Sequence, residues 1–203
     1  KEEGYDVEVS TVSGWSTLGW FKDPVLSNML EGSVGSMAST IIHELTHGTL
    51  FVPDSMTFNE NLASFVGRMG GRNFLQNKYG ETSQEVIDYT NRLSDSQRFT
   101  RYMILGAAQL DSIYKKSEGL PEEELKKIKS NYLTSFIANM DTVQFINPER
   151  YAKIAYSGRI NNARFIAFLN YRERQQEFEN QLQQQFGGNL AKFIKHWKVQ
   201  YPK

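Results

Sequence analysis

The sequence predicts a mainly helical α+β fold with a small N-terminal β-sheet. Residues 5–12 alternate apolar and polar side chains, which is typical of a half-exposed strand. Over most of the remaining chain, apolar residues recur every three or four positions, as in amphipathic helices. A chain of 203 residues is long enough to bury a core, so we expect a single domain over residues 1–203.

The elements expected after this strand are a glycine-bounded turn and a short helix. The turn spans Gly14 to Gly19, and Gly19 would allow another chain to approach its backbone closely. The aromatic side chains in this turn and directly after it have the alternative role of core residues: Trp15, Trp20 and Phe21. Asp23-Pro24 then fits the cap and the first position of a short helix.

The motif His43-Glu44-x-x-His47 lies in a helix predicted over residues 36–51. Histidines four residues apart lie on one helical face, so both imidazoles can reach a single metal ion. Glu44 projects about 100° around the helix from His43, where it can act on a water molecule without binding the metal. We therefore predict a Zn²⁺ site. An apolar stripe of the kind that a buried metal helix needs is formed by Ile41, Ile42, Leu45 and Leu50.

A catalytic zinc ion normally takes three protein ligands, so a third ligand is required. Glu60 lies in the next predicted helix, and a helix running back past the first would aim its carboxylate at the metal. The alternative is that Thr57-x-x-Glu60 is a capping box, in which Glu60 only satisfies a backbone N–H. Asp54, in the turn after Pro53, is the other acid nearby. We favour Glu60 as the ligand.

The Glu60 helix is predicted to run to about Tyr79. Two of its polar residues, Asn59 and Ser64, are candidates to orient an imidazole N–H. Three glycines are expected to weaken or bend this helix: Gly67, Gly70 and Gly71.

A long helical hairpin follows, with its turn at Gly119-Leu120-Pro121. Its first helix carries a heptad-like seam that Ser96 and Thr100 make imperfect: Val86, Tyr89, Leu93, Ser96, Thr100, Met103, Ala107, Leu110 and Tyr114. The return helix continues the seam: Leu125, Ile128, Tyr132, Phe136 and Met140.

The C-terminal part is predicted to contain a loop over residues 147–162 and then a helix through Phe186, capped by Asn161 or Asn162. On that helix, one face is shared by Arg164, Phe168 and Tyr171.

Composition excludes several other classes of protein. Lys+Arg and Asp+Glu number 23 each, so no net field favours nucleic acid or an anionic membrane. No apolar run approaches the length of a transmembrane helix. The absence of cysteine excludes disulfides and thiolate zinc sites. Because the chain starts Lys1-Glu2-Glu3, without Met or a signal peptide, we expect a mature or trimmed form.

Two motifs together, His43-Glu44-x-x-His47 and Asn59-Glu60-x-x-Ala63, resemble the gluzincin metallopeptidases, the thermolysin-like class with two His and one Glu on zinc. Over nearly its whole length the chain is also similar to a bacterial family described as predicted aminopeptidases. The gap from His47 to Glu60 is shorter than in thermolysin. The blocks shared with the family are residues 14–27, the His-Glu motif, residues 58–67, and Asn161 to Arg164 with Tyr171 and Gly187-Gly188 beyond.

The resemblance implies a zincin-like catalytic domain of a zinc-dependent peptidase, an aminopeptidase by its family label, with peptide substrates. It also implies an exported, often membrane-anchored parent in the bacterial cell envelope, whose anchoring segment is outside this chain. An endopeptidase or amidohydrolase with the same site is the first alternative. A catalytically silent, zinc-stabilised binding domain is the second, although a purely structural site has no use for a base such as Glu44.

In a zinc peptidase Glu44 would act as general base. A donor to the developing oxyanion is also needed, and Tyr171 fits because a phenol donates a hydrogen bond while uncharged; the alternative is a core tyrosine. Gly19, in Leu18-Gly19-Trp20, would hold the substrate backbone at a strand edge, and Asn162 would do so from the C-terminal helix. Arg164 would pair with a substrate carboxylate or a structural acid. The other candidate donors are Tyr151, Tyr156 and His196.

Overall fold

The computed structural model describes residues 6–7, 32–155, 157, 160–172 and 174–201, with the backbone alone described at residues 170–172. A 3₁₀ helix, Asn139–Thr142, directly follows the α-helix Glu122–Ala138. No helix in these ranges has both the length and the apolar character needed to cross a membrane. The α-helices are α1 Val34–Thr49, α2 Met56–Tyr79, α3 Gln84–Lys116, α4 Glu122–Ala138, α5 Pro148–Ala155, α6 Asn162–Arg172, α7 Gln175–Phe186 and α8 Leu190–Gln200.

The predicted α+β class with a small N-terminal β-sheet is wrong, because the described residues form helices and no strand. Most of the predicted strand at residues 5–12 lies outside the described residues, as does the helix expected at Asp23-Pro24. The two described residues, Asp6 and Val7, bond to helices instead of to a backbone ladder. The Asp6 carboxylate accepts from the backbone N–H of Asn162 at 3.0 Å and from the ammonium of Lys129. At Asp6 and Val7, the bonds are therefore to side chains and to the start of a helix, and neither residue belongs to a strand.

The helices of the metal motif form nearly where the sequence predicts them. The Ser33 side chain caps α1 by accepting from the backbone N–H of Ser36 at 3.3 Å. Helix α2 takes Ser55 as its N-cap residue, so Thr57 is already its second residue. The capping box Thr57-x-x-Glu60 is therefore not formed, and the Glu60 side chain is available for another role.

Two predictions for the C-terminal part need correction. Residues 147–162, predicted as a loop, contain α5. Asn147 accepts from the backbone N–H of Arg150 at 3.4 Å and Pro148 occupies the first helical position, a start that the sequence analysis overlooked. The single helix expected through Phe186 is two helices, α6 and α7.

The chain divides into two compact units, and the first comprises Lys1–Ser10 and Asn91–Asn170. It contains the predicted helical hairpin from Asn91 onward, including the turn, where Gly119 has a φ of 87°, a value that favours glycine. Tyr102 stacks on Phe136 across the hairpin with ring centroids 4.4 Å apart. The core of this unit consists of Phe99, Met103, Leu110, Phe136, Met140, Tyr151, Ala155, Ile160 and Phe165.

The second unit comprises Thr11–Thr90 and Tyr171–Lys203. In it α7 and α8 pack against α2 through aromatic rings, among them Phe65, Phe178 and Phe193, which are fully buried. A single domain over residues 1–203 stays a prediction. The core of this unit consists of Leu50, Phe58, Leu62, Phe65, Val66, Phe178, Leu182 and Phe193.

A buried carboxylate, Asp95, fixes the start of α5 in the first unit. Only 2% of this residue is exposed. It accepts from the backbone N–H groups of Ile146 at 2.7 Å and Asn147 at 2.8 Å, and from the guanidinium of Arg98 at 3.2 Å. These bonds replace the water that a buried charge loses, so the residue serves folding.

We predict that Asp95→Ala destabilises the protein by about 2–4 kcal/mol, because it leaves two backbone donors without an acceptor. Asp111→Ala is the matched control on the same helix. Asp111 is exposed and pairs only with Lys115, so its removal should change the free energy of unfolding by less than about 1 kcal/mol. Urea unfolding of both variants measures the difference, and equal effects would contradict the role given to Asp95.

Candidate metal centre

Small residues bring α1 and α2 unusually close together. A Cβ atom added at Gly67 would lie 2.6 Å from the carbonyl oxygen of Ser39 and 3.2 Å from the Cβ of His43. One added at Gly71 would lie 3.0 Å from the carbonyl oxygen of Gly35. The glycines that we expected to weaken α2 therefore serve a different purpose, since they let the backbones of the two helices approach. The helices run antiparallel, and higher numbers on α1 face lower numbers on α2.

The predicted metal ligands His43, His47 and Glu60 meet at one point of this interface. The Nε2 atoms of the two histidines are 3.1 Å apart. His43 Nε2 lies 3.5 Å from one carboxylate oxygen of Glu60, and His47 Nε2 lies 3.3 Å from the other. All three residues are partly or largely buried, and their ligand atoms lie within 4.8 Å of one another.

The Glu60 carboxylate is held in its ionised form. Hydrogen bonds from His43 and then His47 lower its pKa from 4.5 to about 2, against the opposing effect of burial. The site therefore carries an anionic ligand at neutral pH.

These residues fit a zinc ion. Zinc bonds of about 2.0–2.2 Å in tetrahedral geometry separate neighbouring ligand atoms by roughly 3.3–3.5 Å, close to the three distances observed. Two imidazoles and one carboxylate also form a donor set that zinc accepts, and three ligands leave a fourth position open.

Asn59 supports this geometry in a way that the sequence analysis did not anticipate. Its amide oxygen accepts from the backbone N–H of Val52 at 2.9 Å, and its amide nitrogen donates to the Val52 carbonyl at 2.8 Å. Asn59 thus links the connector between α1 and α2 by hydrogen bonds to the start of α2, where Glu60 lies. The imidazole contact proposed for Asn59 or Ser64 is made by Ser64, whose hydroxyl lies 3.4 Å from His43 Nδ1.

A buried polar network holds α7 against α2 beside the centre. Asn61, which follows Glu60, is fully buried and donates to the carbonyl of Thr57 at 2.8 Å. Gln175 on α7 donates to the backbone carbonyl of Asn61 at 2.8 Å and accepts from the guanidinium of Arg68. Burial lowers the pKa of Arg68, and the charge of Glu179 counteracts this effect. No sequence pattern predicts this network, because its members are far apart in the chain.

Two predictions on α1 have different outcomes. Glu44 is half-buried and directly follows His43 on α1, and its role as base stays a prediction. Leu45 was expected in a buried stripe, but 63% of it is exposed. Of the other stripe residues, Ile41 and Ile42 are half-buried and Leu50 is buried.

The predicted substrate contacts and the oxyanion donor stay predictions. Gly19 lies outside the described residues, and so does the side chain of Tyr171. The side-chain amide of Asn162 forms hydrogen bonds with the hydroxyl of Tyr114, at 3.2 Å through its oxygen and at 3.0 Å through its nitrogen. The Arg164 guanidinium lies 5.5 Å from the ring centre of Phe168. Asn162 and Arg164 belong to the first unit, whereas the three candidate ligands belong to the second.

Comparison with known proteins identifies one family. A family model described as "Putative aminopeptidase" matches residues 1–200. Neither the curated proteins nor the solved structures gave a match.

We predict that Gly67→Ala destabilises the protein by about 1–3 kcal/mol and weakens zinc binding, because its methyl group meets the backbone of α1 beside His43. Gly70→Ala is the matched control. Its methyl group would meet only the side chain of Ile42, at 2.9 Å, which can change rotamer, and alanine favours the helix. Unfolding and zinc titration compare the two variants, and a Gly67→Ala protein that binds zinc like the control would contradict the role of this close approach.

Proposed function

The chain belongs to the family described as "Putative aminopeptidase", and from that premise we propose that it is a zinc-dependent peptidase of the gluzincin type. His43, His47 and Glu60 would hold the ion. The observation that carries the proposal is the convergence of their ligand atoms at mutual distances of 3.1–3.5 Å.

The protein groups divide the chemistry between them. A bound zinc ion supplies Lewis acidity, which polarises a scissile carbonyl and lowers the pKa of water. Glu44 takes a proton from the attacking water and passes it to the leaving amine. Its position directly after His43 on α1 supports this role, since it adjoins a ligand without belonging to the group of three. Tyr171 remains the proposed oxyanion donor.

The substrate class follows from the family, which supports a peptide. Cleavage from the N terminus belongs to the proposal, as does the cell-envelope location that the resemblance implies.

We predict that the purified protein retains about one zinc ion, as three ligands from one chain imply. The double variant His43→Ala, His47→Ala should lose it, and Glu60→Gln should bind it much more weakly. His196→Ala is the control, because the third histidine of the chain packs against Phe186 instead. Elemental analysis gives the zinc content, and full occupancy in the double variant would overturn the proposed centre.

A second prediction separates the base from the ligands. Glu44→Gln should keep its zinc and its fold but lose hydrolysis by roughly 10² or more, the scale expected for a general base. Glu85→Gln, at an exposed position in the first turn of α3, should leave turnover unchanged. Turnover is measured on peptides with a free N terminus, with and without a chelator.

The outcomes of this assay distinguish the alternatives. Loss of zinc from Glu44→Gln would make Glu44 a ligand. Equal turnover of N-terminally blocked peptides would favour an endopeptidase or amidohydrolase. No turnover of any peptide by the zinc-loaded protein would favour the silent binding domain.

A further inference from the structure

We propose that Ser64 is a positioning residue that fixes the tautomer and the ring orientation of His43. This inference rests on the proposed zinc centre and deepens it. The observation behind it is that the two nitrogens of the His43 ring face different partners. Nε2 faces His47 and Glu60, at 3.1 and 3.5 Å, whereas Nδ1 faces the Ser64 hydroxyl at 3.4 Å.

The chemistry of imidazole determines the direction of that contact. A neutral ring carries one N–H and one lone pair, and the nitrogen that binds a metal must offer the lone pair. With Nε2 bound to a metal ion, the proton of a neutral His43 ring would reside on Nδ1. The Nδ1–H group then donates to the oxygen of Ser64, which accepts. A ring in the other tautomer would direct a proton into the metal position.

The helical register explains why Ser64 is suited to this task. It lies one turn after Glu60 on the same face of α2, so a single helical face supplies both a ligand and the group that orients another ligand. The close approach at Gly67 lies on this face too, adjacent to His43. At 3.4 Å the hydroxyl is at the upper limit of a hydrogen bond. Even a small separation of α1 and α2 would therefore break the contact.

The two histidines differ in this respect. Among the described residues, His47 has no hydrogen-bond partner at its Nδ1, and its contacts are those to His43 and Glu60. The orientation of His47 depends instead on its burial, since only 8% of it is exposed. Loss of Ser64 should consequently change the state of one histidine and leave the other unchanged.

The test compares Ser64→Ala with Ser39→Ala in the full chain. Ser39 lies on α1 at the same helix–helix interface, and its hydroxyl makes no hydrogen bond with a described residue. Both variants remove one serine hydroxyl, so a purely structural effect should be similar in both. Ser64→Thr retains the hydroxyl and serves as the conservative variant.

We expect Ser64→Ala to bind zinc roughly 10- to 100-fold more weakly than the wild type, the usual cost of losing a partner of a metal-bound histidine. Ser39→Ala should bind it normally, and Ser64→Thr should restore at least part of the affinity. In the zinc-free protein, ¹⁵N NMR of the imidazoles should record a smaller fraction of the Nδ1–H tautomer for His43 in Ser64→Ala, with His47 unchanged.

Unchanged zinc affinity together with an unchanged His43 tautomer in Ser64→Ala would overturn the inference and leave the zinc centre intact. Equal losses of affinity in Ser64→Ala and Ser39→Ala would overturn it as well, because the effect would then be general to the interface. A wild-type protein that fails to bind zinc at all would overturn both this inference and the proposed function.

Discussion

The close approach of α1 and α2 is the constraint on which the candidate metal centre depends. Two ligands come from α1 and one from α2, so any change in the separation of the helices alters both histidine–carboxylate distances at once. The separation is set where Gly67 faces the backbone of Ser39, with no room for a Cβ atom between them. Side chains normally hold packed helices about 8–10 Å apart, and glycine permits the shorter end of that range.

The charge of the centre follows from the same contacts. The Glu60 carboxylate, whose pKa is lowered to about 2 by hydrogen bonds from His43 and His47, contributes one negative charge to the centre. A divalent ion bound there would retain a net positive charge, which suits a Lewis acid. A site of thiolates would neutralise the ion completely, and this chain contains no cysteine. Two histidines and one carboxylate are a ligand set of the kind that catalytic zinc sites use, whereas structural zinc sites are closed by four protein ligands.

The sequence predicted those features that depend on local spacing. The pairing of the i, i+4 histidines, the hairpin seam and the approach of Glu60 to both histidines were predicted, because helical periodicity places such residues on one face. The role of Glu60 as a metal ligand stays a prediction. The predictions that were wrong or incomplete concern residues whose partners are distant in the chain. Gly67 was expected to weaken α2, but it faces the backbone of Ser39 on α1 and permits the close approach of the helices. Asn59 was a candidate partner for an imidazole, but its side chain bonds to the backbone of Val52. The start of α5 depends on the distant carboxylate of Asp95 as well as on its own cap.

The register between α1 and α2 explains how a short connector suffices to join the ligands. His47 near the end of α1 meets Glu60 near the start of α2, and one turn farther from the connector His43 meets Ser64. The next two layers are Ser39 with Gly67 and Gly35 with Gly71. At the connector, a φ of 55° at Asp54 helps to reverse the chain. The side-chain amide of Asn59 bonds both the N–H and the carbonyl of Val52. A slip of one turn would separate Glu60 from His47 and break the Asn59 bonds as well, so the register and the metal centre are specified together.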